Sequence, residues 1–263
     1  MTTEADRPAS DSTLAARVGG EGSPLTLVHG FTQTGDCWGP LADVLRREHR
    51  VIRVDAPGHG GSRRHAAAGL ARGAELLSAT GADTVLLGYS MGGRLALRAA
   101  LDHPGTVRAL ILVGATAGIE DAAEREARRL ADEALADRLE RIGLDEFVQE
   151  WLAMDMFAGL ADWARFDDQR RRNTAEGLAQ SLRHAGTGTM APLWDRLHEL
   201  RRPVLCITGE HDERYGALAR RLVAGIGANA THVEIPGAGH AAHLEQPDAT
   251  IAAVLRWLST LEP

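Results

Sequence analysis

A chain of 263 residues, 44% apolar and 25% charged, has the balance of a folded globular protein and the length of one large α/β domain, unlike a disordered, collagenous or membrane-embedded chain. A net charge of −7 is the wrong sign for neutralising phosphates, so nucleic acid is not an expected partner. The longest apolar run, around Ala109–Val113, is far shorter than the roughly 18 residues that cross a bilayer, so no membrane insertion is expected.

All 29 basic residues are Arg, whose planar fork suits carboxylates. Two cysteines, Cys37 and Cys206, are too few for a disulfide framework and are expected to stay unbonded. Residues 1–23 are polar and lack the basic start and apolar core of a signal peptide, which reads as a disordered tail on a cytoplasmic protein. No feature of the sequence specifies an oligomeric state.

In chain order, short apolar runs alternate with helical patterns. A weak strand candidate lies at Thr13–Val18. Stronger ones are Leu25–Val28, Val51–Val54, Thr84–Leu87, Val107–Val113, Val204–Thr208 and His232–Ile235. Most are continuously apolar, as in strands buried on both faces of a parallel sheet. Between them the spacing predicts helices at Trp38–Leu45, His65–Ala79, Met91–Leu101, Ala217–Ala224 and Asp248–Leu261. This alternation predicts an α/β fold, a mostly parallel twisted sheet with helices on both faces. The rhythm stops over 118–200, where only helical patterns occur: Asp121–Ile142, Asp145–Ala153 and a third near Arg170–Arg183. We expect a helical cap there, inserted after the strand near 107–113, with the core formed by 24–117 and 201–263. Such a cap would cover the strand C-termini, where open α/β sheets bind ligands. Gly58-His59-Gly60-Gly61 follows a strand but lacks nucleotide-loop spacing and reads as a turn.

The chemistry-bearing signal is Gly88-Tyr89-Ser90-Met91-Gly92, a G-x-S-x-G set between a strand and a helix. That context puts Ser90 on a strained turn flanked by small residues, at a helix N-terminus. A serine hydroxyl needs a base, and in this topology an acid and then a histidine follow late in the chain. Asp212, after the strand Val204–Thr208, is the expected acid, with Glu210 as competitor. His240, after Pro236-Gly237-Ala238-Gly239, is the expected base, with His243 as competitor; His211 reads as a solvated loop residue. Oxyanion donors are expected from the N–H of Met91 and of Phe31, the latter after the strand-ending His29-Gly30. His29 itself reads as a packing residue. Arg94, one helical turn past Ser90, faces the same side as the serine.

These motifs, in this order, resemble the α/β-hydrolase superfamily over essentially the whole chain after residue 24. A finer match is carried by His29-Gly30-Phe31-Thr32, the run Asp55–Ser62, Gly88–Arg94, the run Gly177–Arg183 with Gly186-Thr187-Gly188, Leu193-Trp194, and Gly239–Glu245. It is similar to the 2-succinyl-6-hydroxy-2,4-cyclohexadiene-1-carboxylate synthases of menaquinone biosynthesis. That resemblance implies a lyase that eliminates pyruvate from an enolpyruvyl cyclohexene carboxylate, with Ser90 acting as base. It implies no cofactor or metal, and a small anionic carboxylate substrate as partner. Arg94, Arg128 and Arg170 would bind the substrate, though Arg171 or Arg172 could take the last position; Tyr89 and Trp151 would form pocket walls. The competing reading is a serine hydrolase of carboxylic esters or of carbon–carbon bonds in diketones. Its triad would be identical, so the pocket discriminates.

Overall fold

The computed structural model describes residues 4–261. Eight strands form one sheet: β1 (Ala5–Arg7), β2 (Ala16–Gly19), β3 (Ser23–Val28), β4 (His49–Val54), β5 (Thr84–Tyr89), β6 (Val107–Val113), β7 (Val204–Gly209) and β8 (Ala230–Ile235). Their spatial order is β1-β2-β4-β3-β5-β6-β7-β8. β3 to β8 run parallel, and β2 and β1 add antiparallel. The chain leaves β3 toward one edge and β5 toward the other, so a crevice opens beyond the C-termini of these two neighbours.

The continuous apolar runs are explained by burial on both faces. Along β5, Leu86 joins one apolar layer while Val85 and Leu87 join the other. The first layer is closed by α2 (Leu70–Thr80), α3 (Met91–Asp102) and α8 (Glu213–Ile226). The second is closed by α1 (Pro40–Leu45), the short α9 (Ala242–Glu245) and α10 (Pro247–Leu258). No described helix is long and apolar enough to cross a membrane.

Between β6 and β7 every regular element is helical: α4 (Ala122–Ile142), α5 (Leu144–Leu152), α6 (Asp167–Arg170), α7 (Ala175–Ala185) and three short 3₁₀ turns. α4, α5 and α7 share a separate small core of Ala136, Leu139, Phe147, Leu178, Ala179 and Leu182. Phe31, from the loop after β3, packs into it. A Cβ added at Gly177 would stand 2.3 Å from the Gly58 carbonyl, so α7 rests directly on the Gly58 turn.

Three expectations need correction. The tail over 1–23 is not disordered from residue 5 onward, because β1 and β2 extend the sheet; residues 1–3 lie outside the described residues. Leu14 and Ala15 are buried, and their N–H groups donate to Thr80 Oγ1 and Ser62 Oγ, each at 2.9 Å. β1 is short, charged and exposed, as an edge strand often is, so it carries no apolar signal. The helix predicted at His65–Ala79 begins only at Leu70, since Gly60–His65 winds as a 3₁₀ turn. The helix near Arg170–Arg183 is two, α6 and α7. Between them Asn173 donates to the Thr32 carbonyl at 2.8 Å and accepts from the Gly60 N–H at 2.9 Å. Thr174 then caps α7 by accepting the Gly177 N–H at 3.0 Å.

Candidate active site

Ser90 joins β5 to α3 at φ 51° and ψ −108°, a backbone state that costs a non-glycine residue about 1–3 kcal/mol. The surrounding glycines make the turn fit. A Cβ at Gly92 would stand 2.0 Å from the Val28 carbonyl, and one at Gly88 2.4 Å from the Gly92 carbonyl. The Ser90 N–H donates to the Val113 carbonyl at 2.8 Å, and its carbonyl accepts from Arg94 N–H at 3.1 Å. Backbone bonds on both sides therefore hold the strained residue.

His240 lies on the loop after β8, with Nε2 3.0 Å from Ser90 Oγ and Nδ1 2.7 Å from Asp212 Oδ2. Asp212 caps α8, its Oδ1 accepting the Tyr215 N–H at 3.3 Å. One carboxylate oxygen is thus fixed by the helix and the other faces the imidazole. Because that carboxylate only accepts, a neutral His240 carries its proton on Nδ1 and turns the Nε2 lone pair toward the serine hydroxyl. The competitors are placed elsewhere. Glu210 is exposed and accepts the Gly237 N–H at 2.8 Å. His211 is exposed. His243 is buried between Trp38 and Tyr89, and neither ring nitrogen has a hydrogen-bond partner. Burial pushes it down to about 3, so it is neutral.

Met91 is the first residue of α3, so its N–H has no acceptor within the helix. The peptide between Gly30 and Phe31 is held from its other side. The Gly30 carbonyl accepts from His29 Nδ1 at 2.8 Å and from the Gln33 N–H at 3.2 Å. His29 Nε2 accepts the Ala56 N–H at 3.0 Å, which fixes the tautomer, and burial lowers its pKa. His29 is therefore a buried loop-former. Phe31, Ser90 and Met91 line one cleft.

That cleft, of about 450 Å³, runs between the strand ends and the helical insertion. Arg94 reaches it from α3. Its guanidinium is buried, donates to the Ala185 carbonyl at 2.7 Å, and is in no ion pair among the described residues. Burial pushes it down to about 10, still a cation at neutral pH. Arg170 lines a smaller pocket that also reaches Ser90, His240, Tyr89 and Trp151. It is buried, donates to the Arg165 carbonyl at 2.6 Å and to Thr32 Oγ1, and likewise has no ion-pair partner among the described residues. Arg171 and Arg172 are half-exposed and pair with Asp145 and Asp168, and with Asp36, respectively, so neither takes its place.

Arg128 lines the cleft but is less committed to it. Its side chain is 40% exposed and pairs with buried Asp132 at 2.7 Å. Tyr89 packs against the rings of both His240 and His243, and burial pushes its phenol strongly up. Trp151 spans both pockets, with a buried Nε1 that has no hydrogen-bond partner. Several lining residues escaped the sequence reading, Arg214 and Tyr215 among them. Arg214 lines the cleft, and Tyr215 also packs its ring 4.4 Å from that of His240. Their signal is positional: both lie in the first turn of α8, directly after the capping Asp212. Both cysteines are free and buried. Among the described residues no cluster of three His, Cys, Asp or Glu could hold a metal ion.

A strand–helix elbow, a hydrogen-bonded Ser–His–Asp chain and a helical insertion on a parallel sheet define the class, and the chain belongs to the Alpha/beta hydrolase family, which matches residues 27–253. Within that class it is similar to a group of synthases. A Klebsiella pneumoniae (strain 342) relative, 2-succinyl-6-hydroxy-2,4-cyclohexadiene-1-carboxylate synthase, is 35% identical over 94% of this chain and 100% of its own. A Bacillus subtilis (strain 168) relative, given that name provisionally, is 36% identical over 85% of each chain. The solved structure of MenH from S. aureus superposes with a TM-score of 0.80 at 29% identity, covering 98% of each chain.

Proposed function

We propose that this protein is a lyase that eliminates pyruvate from an enolpyruvyl cyclohexene carboxylate, giving 2-succinyl-6-hydroxy-2,4-cyclohexadiene-1-carboxylate. The observation that carries this reading is the pair of buried guanidiniums, Arg94 and Arg170, which face the Ser90 pockets without an ion-pair partner among the described residues. A buried cation is costly unless a charge compensates it, and a multiply charged acid supplies that charge. A neutral ester does not. The relatives' shared name supports the same reading.

In this mechanism His240 Nε2 takes the Ser90 hydroxyl proton. The Ser90 oxygen then takes the proton from the ring carbon beside the succinyl carbonyl. Charge developing on that carbonyl oxygen is met by the N–H groups of Met91 and Phe31; one such donor is worth about 3–4 kcal/mol. The electron pair moves through the ring double bond and expels the enolpyruvyl oxygen. The ring, which began with one double bond, is left with two conjugated ones. Ser90 now holds the carbon's proton, and the imidazolium returns its own to the departing enolate, which becomes pyruvate. Arg94, Arg170 and Arg128 hold the carboxylates and fix the reacting carbon over Ser90. The test is an assay of the enolpyruvyl precursor beside a p-nitrophenyl ester. Pyruvate release with negligible ester turnover supports the lyase; ester turnover without pyruvate release overturns it in favour of a serine hydrolase.

A further inference from the structure

The amides on either side of His240 converge on one side chain that the chemistry above does not use. Glu245, the last residue of α9, accepts the Gly239 N–H on Oε2 at 2.7 Å and the Ala241 N–H on Oε1 at 2.9 Å. Each carboxylate oxygen thus fixes one flank of His240, through bonds strengthened by the charge. The same carboxylate meets the helical insertion. A Cβ added at Gly159 would stand 2.3 Å from Glu245 Oε2, so the turn at 157–160 lies directly on it. Glu210 holds only the Gly237 amide, three residues from the imidazole.

We propose that Glu245 is a positioning residue: it sets His240 between Ser90 and Asp212 and ties that placement to the seating of the Gly159 turn. The proposal rests on His240 being the base. Its chemistry is specific to a carboxylate. An ionised Glu offers an acceptor to each flanking amide, whereas Gln offers one acceptor and turns an NH₂ toward the other N–H. The rival account is a helix cap alone, a side chain reaching back to free amides at the start of α9. A cap stabilises the fold without affecting how the imidazole sits.

Two full-length variants separate these accounts. Glu245→Gln removes one amide contact with little change of shape, and Gly159→Ala pushes a methyl against the carboxylate from the insertion side. Steady-state kinetics would be read beside the downfield proton signal of His240 Nδ1–H, identified by its loss in His240→Ala. We expect kcat to fall by about 10-fold or more, toward the range that general-base catalysis spans, with KM within about twofold. The Nδ1–H signal should shift or broaden in both variants. A folded Glu245→Gln protein with wild-type kcat and an unchanged signal, whatever its melting temperature, overturns the proposal and leaves a cap. Should Glu245→Gln fail to fold, Gly159→Ala decides by the same criteria. The signal is read without substrate, so it still decides if the wild type releases no pyruvate, and failure of the lyase reading stays distinct from failure of this one.

Discussion

The strand ends and the helical insertion meet at one cleft, but they hold their residues in different ways. Ser90, Asp212 and His240 stand on short connections after β5, β7 and β8, each fixed by backbone hydrogen bonds or a helix cap. Arg128 and Arg170 reach in from helices of the insertion on long side chains, and Arg94 reaches across to bond the insertion's Ala185 carbonyl. The first region places the Ser90, His240 and Asp212 side chains within hydrogen-bond reach of one another through the backbone. The second places charge, and its placement depends on how α4, α6 and α7 dock. Reactivity should therefore depend on strand-end residues whatever the substrate, while preference for an anion should depend on the arginines.

The sharpest way to break this division is at the reacting atoms. Ser90→Ala should lower kcat by about 10²–10⁴-fold with the fold intact, as circular dichroism and melting would show. Retention of a tenth or more of wild-type kcat would remove Ser90 from the chemistry. Asp212→Asn should be comparably severe, on the order of 10⁴-fold, because the imidazole loses the acceptor that sets its tautomer. Glu210→Gln should be mild, and a larger loss there than at Asp212 would reverse the acid assignment. On the insertion side, Arg128→Ala should cost only about 1 kcal/mol in kcat/KM, the scale of a partly exposed, already paired cation. A loss as large as that for Ser90→Ala would mean that Arg128 swings fully into the cleft.

A smaller effect lies in the pH dependence of stability. His29, His59 and His243 are buried with lowered pKa values, the last two to about 3, mainly through burial. The folded chain leaves them neutral, whereas the unfolded chain protonates them near 6.5. For His59 and His243 that contribution is therefore complete above about pH 6.5 and is lost as pH falls toward 3, by about 1.4 kcal/mol per pH unit for each, and His29 acts in the same direction. His243→Phe keeps the ring between Trp38 and Tyr89 and removes two unpartnered nitrogens. Urea unfolding at several pH values should show unchanged or slightly raised stability at neutral pH and a shallower acid slope. A slope equal to wild type would show that His243 is already protonated or solvated in the fold. Full activity of the same variant would agree with His240, not His243, facing Ser90.

What the sequence reveals follows the same division. The elbow is legible because its constraint is local: only small residues fit at Gly88 and Gly92, and the strand and helix flank them directly. The order serine, acid, histidine follows from the topology. Position in the loop favours Asp212 over Glu210 and His240 over His243; in the fold His240 bonds Ser90 and Asp212, while Glu210 bonds the Gly237 N–H. β1 is invisible because a charged three-residue edge strand has no period to read, and its partner β2 pairs with β4 more than 30 residues further along the chain. The break between α6 and α7 is hidden because Asn173 bonds the Thr32 and Gly60 loops, contacts that exist only in the folded chain. Arginine identity is likewise ambiguous in Arg170-Arg171-Arg172, where burial alone separates one residue from its neighbours.

The division is tested most directly by Arg94→Ala measured on two reactions of the same protein. One is pyruvate release from the anionic precursor. The other is inactivation by a neutral phosphonate ester, which reports the reactivity of Ser90 without a carboxylate to bind. The account predicts a loss of roughly 2–4 kcal/mol in kcat/KM for pyruvate release, the scale of a broken charged pair, and a much smaller change in the inactivation rate. Equal losses in both reactions, with an unchanged melting temperature, would contradict it, because Arg94 would then support the serine itself rather than select the anion.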